Sequence, residues 1–329
     1  MELTIATPPG FNFHRTVLSH GWCALPPFEL DKNSWVLTRV LEDTQAGPVT
    51  VKVSARKNGL TIAPSRRVGK RGAEKIIRDV RHMFRLDDDL REFYRAMSTE
   101  PEFAWIAKEG AGRLLRSPTV FEDLVKMICT TNCSWALTEK MVGGLVDELG
   151  RESNDGRKTF PDAQAMARQP VSFYRDRVRA GYRAPYLKEL AQRVASGELN
   201  VESWIGNRDR GSSLSVRQGA GRRGSSPTVR EGVLSANEKT TDELLKEMKT
   251  IKGVGNYAAE NLLKLIGRYD GLALDSWTRA QFARKHNHGR VASDKKILRF
   301  YSRFSSWRGL ALWCDMTRHW LDPENIAKW

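Results

Sequence analysis

A glycine turn between two helix-forming segments constrains this chain more than any other feature of its sequence. Residues 250–257 read TIKGVGNY, with Gly253 and Gly255 two positions apart. Before the turn, Thr240 and Glu243 have the spacing of a capping box, and apolar residues follow at helical spacing. After it, apolar residues again recur at helical spacing until Gly267, which can terminate a helix. The pattern predicts two helices joined by a tight hairpin.

Such a hairpin offers a site for an anion. Backbone N–H groups at the start of the second helix point outward at its positive end, and glycines allow an anion to approach closely. The chain has 54 Lys+Arg against 39 Asp+Glu and a net charge of +15, which favours nucleic acid as the partner. The sequence therefore predicts that four residues contact a DNA phosphate: Lys252, Gly253, Val254 and Gly255. A plain helical turn on a soluble basic protein is the alternative.

The rest of the chain divides into a strand-rich part and a helix-rich part. Residues 35–63 alternate apolar and polar side chains, with Asn58-Gly59 as a hairpin signal, and therefore predict antiparallel strands. From about residue 72 the apolar spacing becomes helical. We expect an α+β protein with an N-terminal antiparallel β domain at 1–70 and a mostly helical part at 71–329. Further helices are expected at 73–84, 87–97, 119–131, 134–149, 161–168 and 184–196.

One segment does not fit either pattern. Residues 206–237 are rich in Gly, Ser and Arg and hold few large apolar groups, which is typical of a flexible basic insertion. Its arginines either touch the DNA backbone or belong to a solvated loop without a role.

Several motifs in the same order resemble the helix-hairpin-helix DNA glycosylase family, nearest its 8-oxoguanine and alkylbase branches. The longest is the hairpin with its flanks, LLKEMKTIKGVGNYAAENLLKLIGRYDGLALDSWTRAQFARKH. RLLRSPTVFEDLVKMICTTNCSWA resembles the segment that leads to the family's DNA-wedging loop, and AGYRAPYLKELAQRV resembles a tyrosine–arginine segment facing the opposite strand. The resemblance covers most of residues 11–320 apart from the insertion. It implies a helical core of two sub-domains behind the β domain.

The resemblance also implies an activity. Family members rotate a damaged or modified base out of duplex DNA and break the bond to its deoxyribose, leaving an abasic site. Asp275 matches the family's aspartate, whose negative charge stabilises the positive charge that develops on the sugar. A helix cap before Ser276 is the other role that an aspartate has at such a position.

Tyr257 decides between two kinds of glycosylase. Members that also nick the strand carry a lysine here, which attacks the sugar as an amine; a phenol cannot. The resemblance therefore implies a monofunctional enzyme, because the neighbouring Lys252 and Lys264 do not match the nucleophile's position. Tyr257, Asn261 and Trp277 are expected to form the base pocket, with ordinary core packing as the alternative for Tyr257.

Three further residues match those that distort DNA in the family. Asn132 matches a residue pushed into the gap left by the flipped base, and Tyr182 and Arg183 match a pair beside the orphaned base. As alternatives, Asn132 caps the helix that follows it, and Tyr182-Arg183 is plain surface.

The expected ligands are few. Backbone carbonyls of Lys249, Ile251 and Val254 match those that hold a monovalent cation, Na⁺ or K⁺, in family members. We expect no organic cofactor and no iron–sulfur cluster, since Cys314 alone among the four cysteines follows the hairpin, and we expect His286-x-His288 to lie on the surface. The expected partner is double-stranded DNA with a modified base.

The expected setting follows from what the sequence lacks. A secretion signal and a membrane span are not evident, so we expect a cytoplasmic protein, nucleoid-associated if bacterial. We also expect a monomer.

Two questions stay open at this level. The first is whether the chain is a non-enzymatic helix-hairpin-helix DNA-binding protein, or a glycosylase/lyase that uses another amine. The second is the base, which could be an alkylated purine, an oxidised purine or a bulky modified pyrimidine of the kind phages use.

Overall fold

The N-terminal part of the protein is one antiparallel sheet. The computed structural model describes residues 1–43, 46–205 and 239–326, so the predicted insertion at 206–237 lies outside the described residues. The five strands are β1 (Leu3–Ala6), β2 (Phe28–Asp31), β3 (Val36–Asp43), β4 (Gly47–Arg56) and β5 (Gly59–Pro64). They pair in the order β1-β5-β4-β3-β2, and every pairing is antiparallel.

The predicted alternation decides which face of the sheet is buried. Val49, Val51 and Val53 are fully buried, as a period of two requires when one face covers a core. The β4–β5 hairpin is closed by the pair Arg56 and Gly59, and its second turn residue, Asn58, has a positive φ of 58°. The strands expected at 35–63 are therefore confirmed as β3 to β5, while β1 and β2 extend the sheet on both sides.

Helices make up most of the rest of the described chain. They are α1 (Phe13–Val17), α2 (Lys70–Met83), α3 (Arg91–Ser98), α4 (Ala104–Lys108), α5 (Val120–Thr130), α6 (Trp135–Leu149), α7 (Ala163–Arg168), α8 (Val171–Asp176) and α9 (Ala184–Ala195). After the undescribed segment come α10 (Thr241–Lys249), α11 (Asn256–Leu265), α12 (Ser276–His286), α13 (Asp294–Tyr301), α14 (Arg308–Thr317) and α15 (Pro323–Ile326). The predicted helices are confirmed to within a few residues at each end. The predicted α+β class is confirmed as well.

The sheet and the helices share one apolar core, in which a buried ionic cluster ties β3 to α5. The Arg39 guanidinium donates to both carboxylate oxygens of Glu122, and the Lys126 amine lies 2.6 Å from the same carboxylate. Burial alone would raise the pKa of Glu122, but these two cations hold it at about 2. The cluster therefore fixes the start of α5, whose other end carries the turn with Asn132.

Two general features complete the fold. Within the described residues, no helix has both the length and the apolar character needed to cross a membrane. The sheet ends at Pro64 and the first long helix begins at Lys70, and the predicted division into domains 1–70 and 71–329 stays a prediction.

Candidate functional site

The hairpin has the geometry that its sequence predicts. The capping box at the start of α10 is present, with the Thr240 N–H donating to Glu243 at 2.7 Å. Gly253 has a φ of +88°, which only glycine adopts readily, and the Val254 N–H donates to the Ile251 carbonyl at 3.0 Å to close the turn. Gly255 is the N-cap of α11 and offers no side-chain cap. The first N–H groups of α11 are thus left for an external acceptor.

The two glycines serve different purposes. A Cβ at Gly253 would lie 3.0 Å from Cδ2 of Tyr186 and 3.5 Å from Ile128, so this position packs tightly against α9 and α5. A Cβ at Gly255 would meet nothing within 4 Å. Gly253 therefore shapes the turn, whereas Gly255 keeps the space in front of the helix start open. Lys252 beside them is exposed, with its amine 2.7 Å from Glu189.

Asp275 begins α12 as its N-cap. One carboxylate oxygen accepts the Thr278 N–H and the Thr278 hydroxyl, both at 2.7 Å, and the Asp275 N–H donates to the Thr278 hydroxyl oxygen at 2.8 Å. The capping role considered from the sequence is confirmed. These bonds hold the carboxylate in a fixed direction, which is what a charge that must face a reacting sugar needs.

Tyr257 and Asp275 are in contact. Burial, the charge of Asp275 and a hydrogen bond to its carboxylate together raise the pKa of Tyr257 to about 12. The phenol is therefore neutral at physiological pH and donates to the carboxylate. Asn261, one turn further along α11, donates its amide to the Tyr257 carbonyl at 3.0 Å. The bond to Asp275 thus gives the Tyr257 phenol a polar partner, which ordinary core packing alone would not supply.

Trp277 belongs to an aromatic cluster that the sequence analysis did not assign. Its ring centre lies 6.1 Å from that of Trp313 and 5.7 Å from that of Trp320. The Trp313 indole donates to the Ser19 carbonyl at 2.8 Å, which brings the N-terminal segment to the same place. The aromatic character of the C-terminal segment was the available signal, although nothing in it pointed to Trp277.

The residues expected to distort DNA also come together. Asn132 lies in the turn between α5 and α6 with a φ of +48°, and the Arg183 guanidinium donates to the carbonyl of the preceding Thr131. Arg183 stacks on the ring of Tyr182 at 4.4 Å, and Tyr182 itself is 51% exposed. The Asn132 turn and the exposed Tyr182 therefore lie on one surface, with Arg183 buried beneath them.

Two alternatives from the sequence prove wrong here. Ser134, not Asn132, caps α6, since its side chain accepts the Leu137 N–H. Arg183 is 3% exposed rather than surface, because its guanidinium is held by Thr131. A direct reading of the opposite base would require that guanidinium to leave the Thr131 carbonyl.

Tyr186 links this surface to the hairpin. It packs edge-on against Tyr182 with ring centres 6.0 Å apart, and it also faces Gly253. Sequence reasoning missed Tyr186 because it reads as one more apolar position of α9.

Two charged residues of α11 were also missed as parts of the site. The Glu260 carboxylate accepts the Ala273 N–H, and the Lys264 amine donates to the Leu272 carbonyl at 3.1 Å. Burial is the main reason why the pKa of Lys264 falls to about 7, although Glu260 and Asp275 oppose the fall. The i,i+4 spacing of Glu260 and Lys264 was a signal in the sequence, but such a spacing usually marks an exposed ion pair.

The ligands expected for a monovalent cation are backbone carbonyl oxygens of the hairpin. The Ile251 carbonyl already accepts the Val254 N–H, which leaves it one lone pair, and the monovalent cation expected at the carbonyls of Lys249, Ile251 and Val254 stays a prediction. No cluster of three His, Cys, Asp or Glu suited to a metal occurs in the part of the chain that the structure describes.

The expectation that His286-x-His288 lies on the surface holds for only one of the two residues. His288 is exposed, whereas the His286 side chain is 9% exposed and bonds the buried Asp315 at 2.7 Å.

A helix-hairpin-helix, an aspartate capping the helix that follows, and an N-terminal antiparallel sheet define a class: the chain has the fold of the helix-hairpin-helix DNA glycosylases. The structure of the 3-methyladenine DNA glycosylase from Archaeoglobus fulgidus matches with a TM-score of 0.69 at 20% identity, covering 98% of this chain and 99% of that one. The 8-oxoguanine glycosylase/lyase from Clostridium acetobutylicum matches with a TM-score of 0.67 at 19% identity, covering 95% and 94%. The resemblance drawn from the sequence is confirmed at the level of fold.

A likeness in sequence points the same way. A DNA-3-methyladenine glycosylase of Bacillus subtilis is 26% identical over 183 residues, which are 53% of this chain and 59% of that protein. The chain therefore matches a little over half of that curated relative. No family model matches the chain.

Proposed function

We propose that this protein is a monofunctional DNA glycosylase that flips a modified base out of duplex DNA and hydrolyses its N-glycosidic bond. The observation that carries the proposal is the Asp275 carboxylate, fixed by Thr278 and bonded by Tyr257, directly behind the hairpin. The cap of α12 accounts for the bonds to Thr278, whereas the bond from Tyr257 ties the same carboxylate to the second helix of the hairpin.

DNA is held and opened by separate parts of the surface. The N–H groups at the start of α11 and the exposed amine of Lys252 bind phosphate oxygens of one strand. The exposed Tyr182 and the turn with Asn132 fill the space that the flipped nucleotide leaves, which offsets part of the lost stacking. Neither contact depends on the base, so binding is expected on any duplex.

Bond cleavage follows from the charge of Asp275. As the bond from C1′ to the base nitrogen breaks, its electron pair leaves with the base and positive charge develops on the sugar. The carboxylate stabilises that charge, and the oxygen of a water molecule then bonds to C1′ while its proton leaves to Asp275 or to solvent. The products are the free base and an abasic strand. The phenol of Tyr257 helps to aim the carboxylate by donating a hydrogen bond to it.

The amines of the site are not placed for attack on the sugar. Tyr257 stands where lyases of this fold have lysine, the Lys252 amine pairs with Glu189 on the exposed surface, and Lys264 is 1% exposed with its amine donating to the Leu272 carbonyl. These contacts support hydrolysis without strand cleavage.

The aromatic cluster supports an alkylated purine as the base. Alkylation leaves such a base electron-poor or positively charged, and indole faces attract cations more strongly than other side chains. Trp277, two residues after Asp275, packs with Trp313 and Trp320, so indole rings lie next to the start of α12. The relative from Bacillus subtilis is named for 3-methyladenine, which agrees with this class of base.

A monovalent cation at the carbonyls of Lys249, Ile251 and Val254 would complete the hairpin. Its role would be electrostatic, since a positive charge there favours the nearby phosphate. Affinity for duplex DNA in K⁺ and in a large organic cation of equal ionic strength tests it, and equal affinities would count against the site.

The function is tested by incubating the protein with duplexes that carry alkylated purines, oxidised purines or bulky modified pyrimidines, followed by mass spectrometry of released bases. We expect release of an alkylated purine and an intact strand until alkali is added. Release of another base would overturn the assignment of the substrate. Tight binding of every duplex with no release would make the chain a non-enzymatic DNA-binding protein.

A further inference from the structure

The loop between α11 and α12 contains a strained residue just before the catalytic position. Ala273 has a φ of +52°, a left-handed conformation that non-glycine residues adopt only when the surroundings hold them. It is 3% exposed and lies two residues before Asp275. The direction in which Asp275 leaves the loop therefore depends on whatever holds Ala273.

Two side chains of α11 hold this loop by its backbone. The carboxylate of Glu260 accepts the Ala273 N–H, and the amine of Lys264 donates to the Leu272 carbonyl at 3.1 Å. The two residues are four positions apart and so lie on one face of the helix. Together they fix both sides of a single peptide unit.

The packing around the loop leaves it little freedom. A Cβ at Gly271 would lie 2.8 Å from the Glu260 side chain, and a Cβ at Gly309 would lie 2.0 Å from the Gly271 carbonyl oxygen. The loop is therefore packed against both α11 and the start of α14. Arg85 adds a further constraint, since its guanidinium donates to the Lys264 carbonyl at 2.9 Å.

A buried lysine in this place is not explained by stability. Lys264 is 1% exposed, and taking a lysine out of water is costly, so an apolar residue of similar volume would serve a core as well. The Glu260 carboxylate and the Lys264 amine nevertheless form hydrogen bonds with backbone atoms of the segment that carries Asp275. Lys264 also faces Asp275 closely enough for the carboxylate to raise its pKa, against the larger effect of burial.

We propose that Glu260 and Lys264 are positioning residues for base excision: by holding the Leu272–Ala273 peptide from α11, they set the direction of the Asp275 carboxylate. The proposal rests on the proposed glycosylase function. It assigns to Glu260 and Lys264 an effect on the rate of bond cleavage that acts entirely through Asp275.

The test is a double-mutant cycle between Glu260→Ala and Asp275→Asn, read as the single-turnover rate of base release with enzyme in excess. Glu260→Ala is expected to slow release about 10- to 100-fold, while the dissociation constant for duplex DNA stays within about three-fold. In the Asp275→Asn background, the same change is expected to have no further effect on the residual rate. Glu260→Gln, which keeps an oxygen for the Ala273 N–H, is expected to retain most of the rate.

The outcomes separate this proposal from the proposed function. If Asp275→Asn releases base like the parent, the assignment of Asp275 fails and this proposal falls with it. If Asp275→Asn is slow but Glu260→Ala and Lys264→Met are as fast as the parent, only the positioning role is wrong. It is also wrong if Glu260→Ala slows release equally in both backgrounds, because the effect would then not pass through Asp275.

Loss of folding would not hide the answer. Ala273→Gly removes the strain of the left-handed conformation that Glu260 holds. If Glu260→Ala alone is unstable, Ala273→Gly can therefore be compared with the double variant Ala273→Gly/Glu260→Ala. We expect the second of these to release base about 10-fold more slowly than the first at the same melting temperature. Equal rates would overturn the proposal.

Discussion

Placing a leucine at Gly255 should weaken binding to every duplex without disturbing the fold. A Cβ there meets nothing within 4 Å of the free protein, so the side chain would project into the space before the first N–H groups of α11. If it displaces one hydrogen bond from an N–H to a phosphate, the loss is about 1.5–3 kcal/mol. That corresponds to about a 10- to 100-fold higher dissociation constant.

Fluorescence anisotropy with modified and unmodified duplexes measures this effect. Gly143 in α6 supplies a matched control, because a Cβ there also meets nothing within 4 Å. Gly143→Leu should bind DNA like the parent. Gly253→Ala should instead lower the melting temperature, since its φ of +88° costs an alanine about 1–2 kcal/mol. Parent-like affinity for Gly255→Leu, or a loss confined to modified duplexes, would refute the hairpin as a phosphate anchor.

Three more predictions concern single side chains. Tyr257→Lys should produce a protein–DNA adduct with borohydride where the parent gives none, and strong trapping by the parent would refute the monofunctional proposal. Lys252→Ala should lower the slope of log affinity against log salt by about 0.9, and an unchanged slope would exclude its phosphate contact. Burial lowers the pKa of His20 to about 4, so the unfolded chain binds the proton more tightly and stability falls as pH drops from 6.5 towards 4. Between pH 6.5 and pH 4, the free energy of unfolding measured with urea should fall by about 3 kcal/mol less in His20→Gln than in the parent. Equal falls in the two proteins would contradict this prediction.

Local patterns were enough to predict most of the helices and strands and the turn of the hairpin, whereas the catalytic role of Asp275 rests on the resemblance and stays a prediction. The capping box at Thr240, the glycines of the hairpin and the acid before α12 are short-range signals, and each is found where it was expected. The contact between Tyr257 and Asp275 was not predicted, because the sequence assigned each residue a role of its own and gave no distance between them.

What the sequence did not reveal depends on contacts between distant parts of the chain. Trp313 bonds Ser19 across 294 positions, and Arg183 bonds Thr131 across 52. No periodicity carries that information. Glu260 was overlooked, and Lys264 was considered only as an alternative amine, for a different reason: an i,i+4 acid–base pair usually lies in solvent, and here it is turned onto a buried backbone.

The role of Asp275 is tested most directly by Asp275→Asn in a single-turnover assay of base release. Asparagine keeps the shape and can still accept from Thr278, but it removes the charge that faces the sugar. Asp270→Asn makes the same change of charge five residues earlier, on a carboxylate that accepts from Thr241, and is the matched control. We expect at least about a 100-fold slower release for Asp275→Asn, with DNA affinity within a few-fold of the parent, and no effect for Asp270→Asn. Release by Asp275→Asn at the parent's rate would contradict the account.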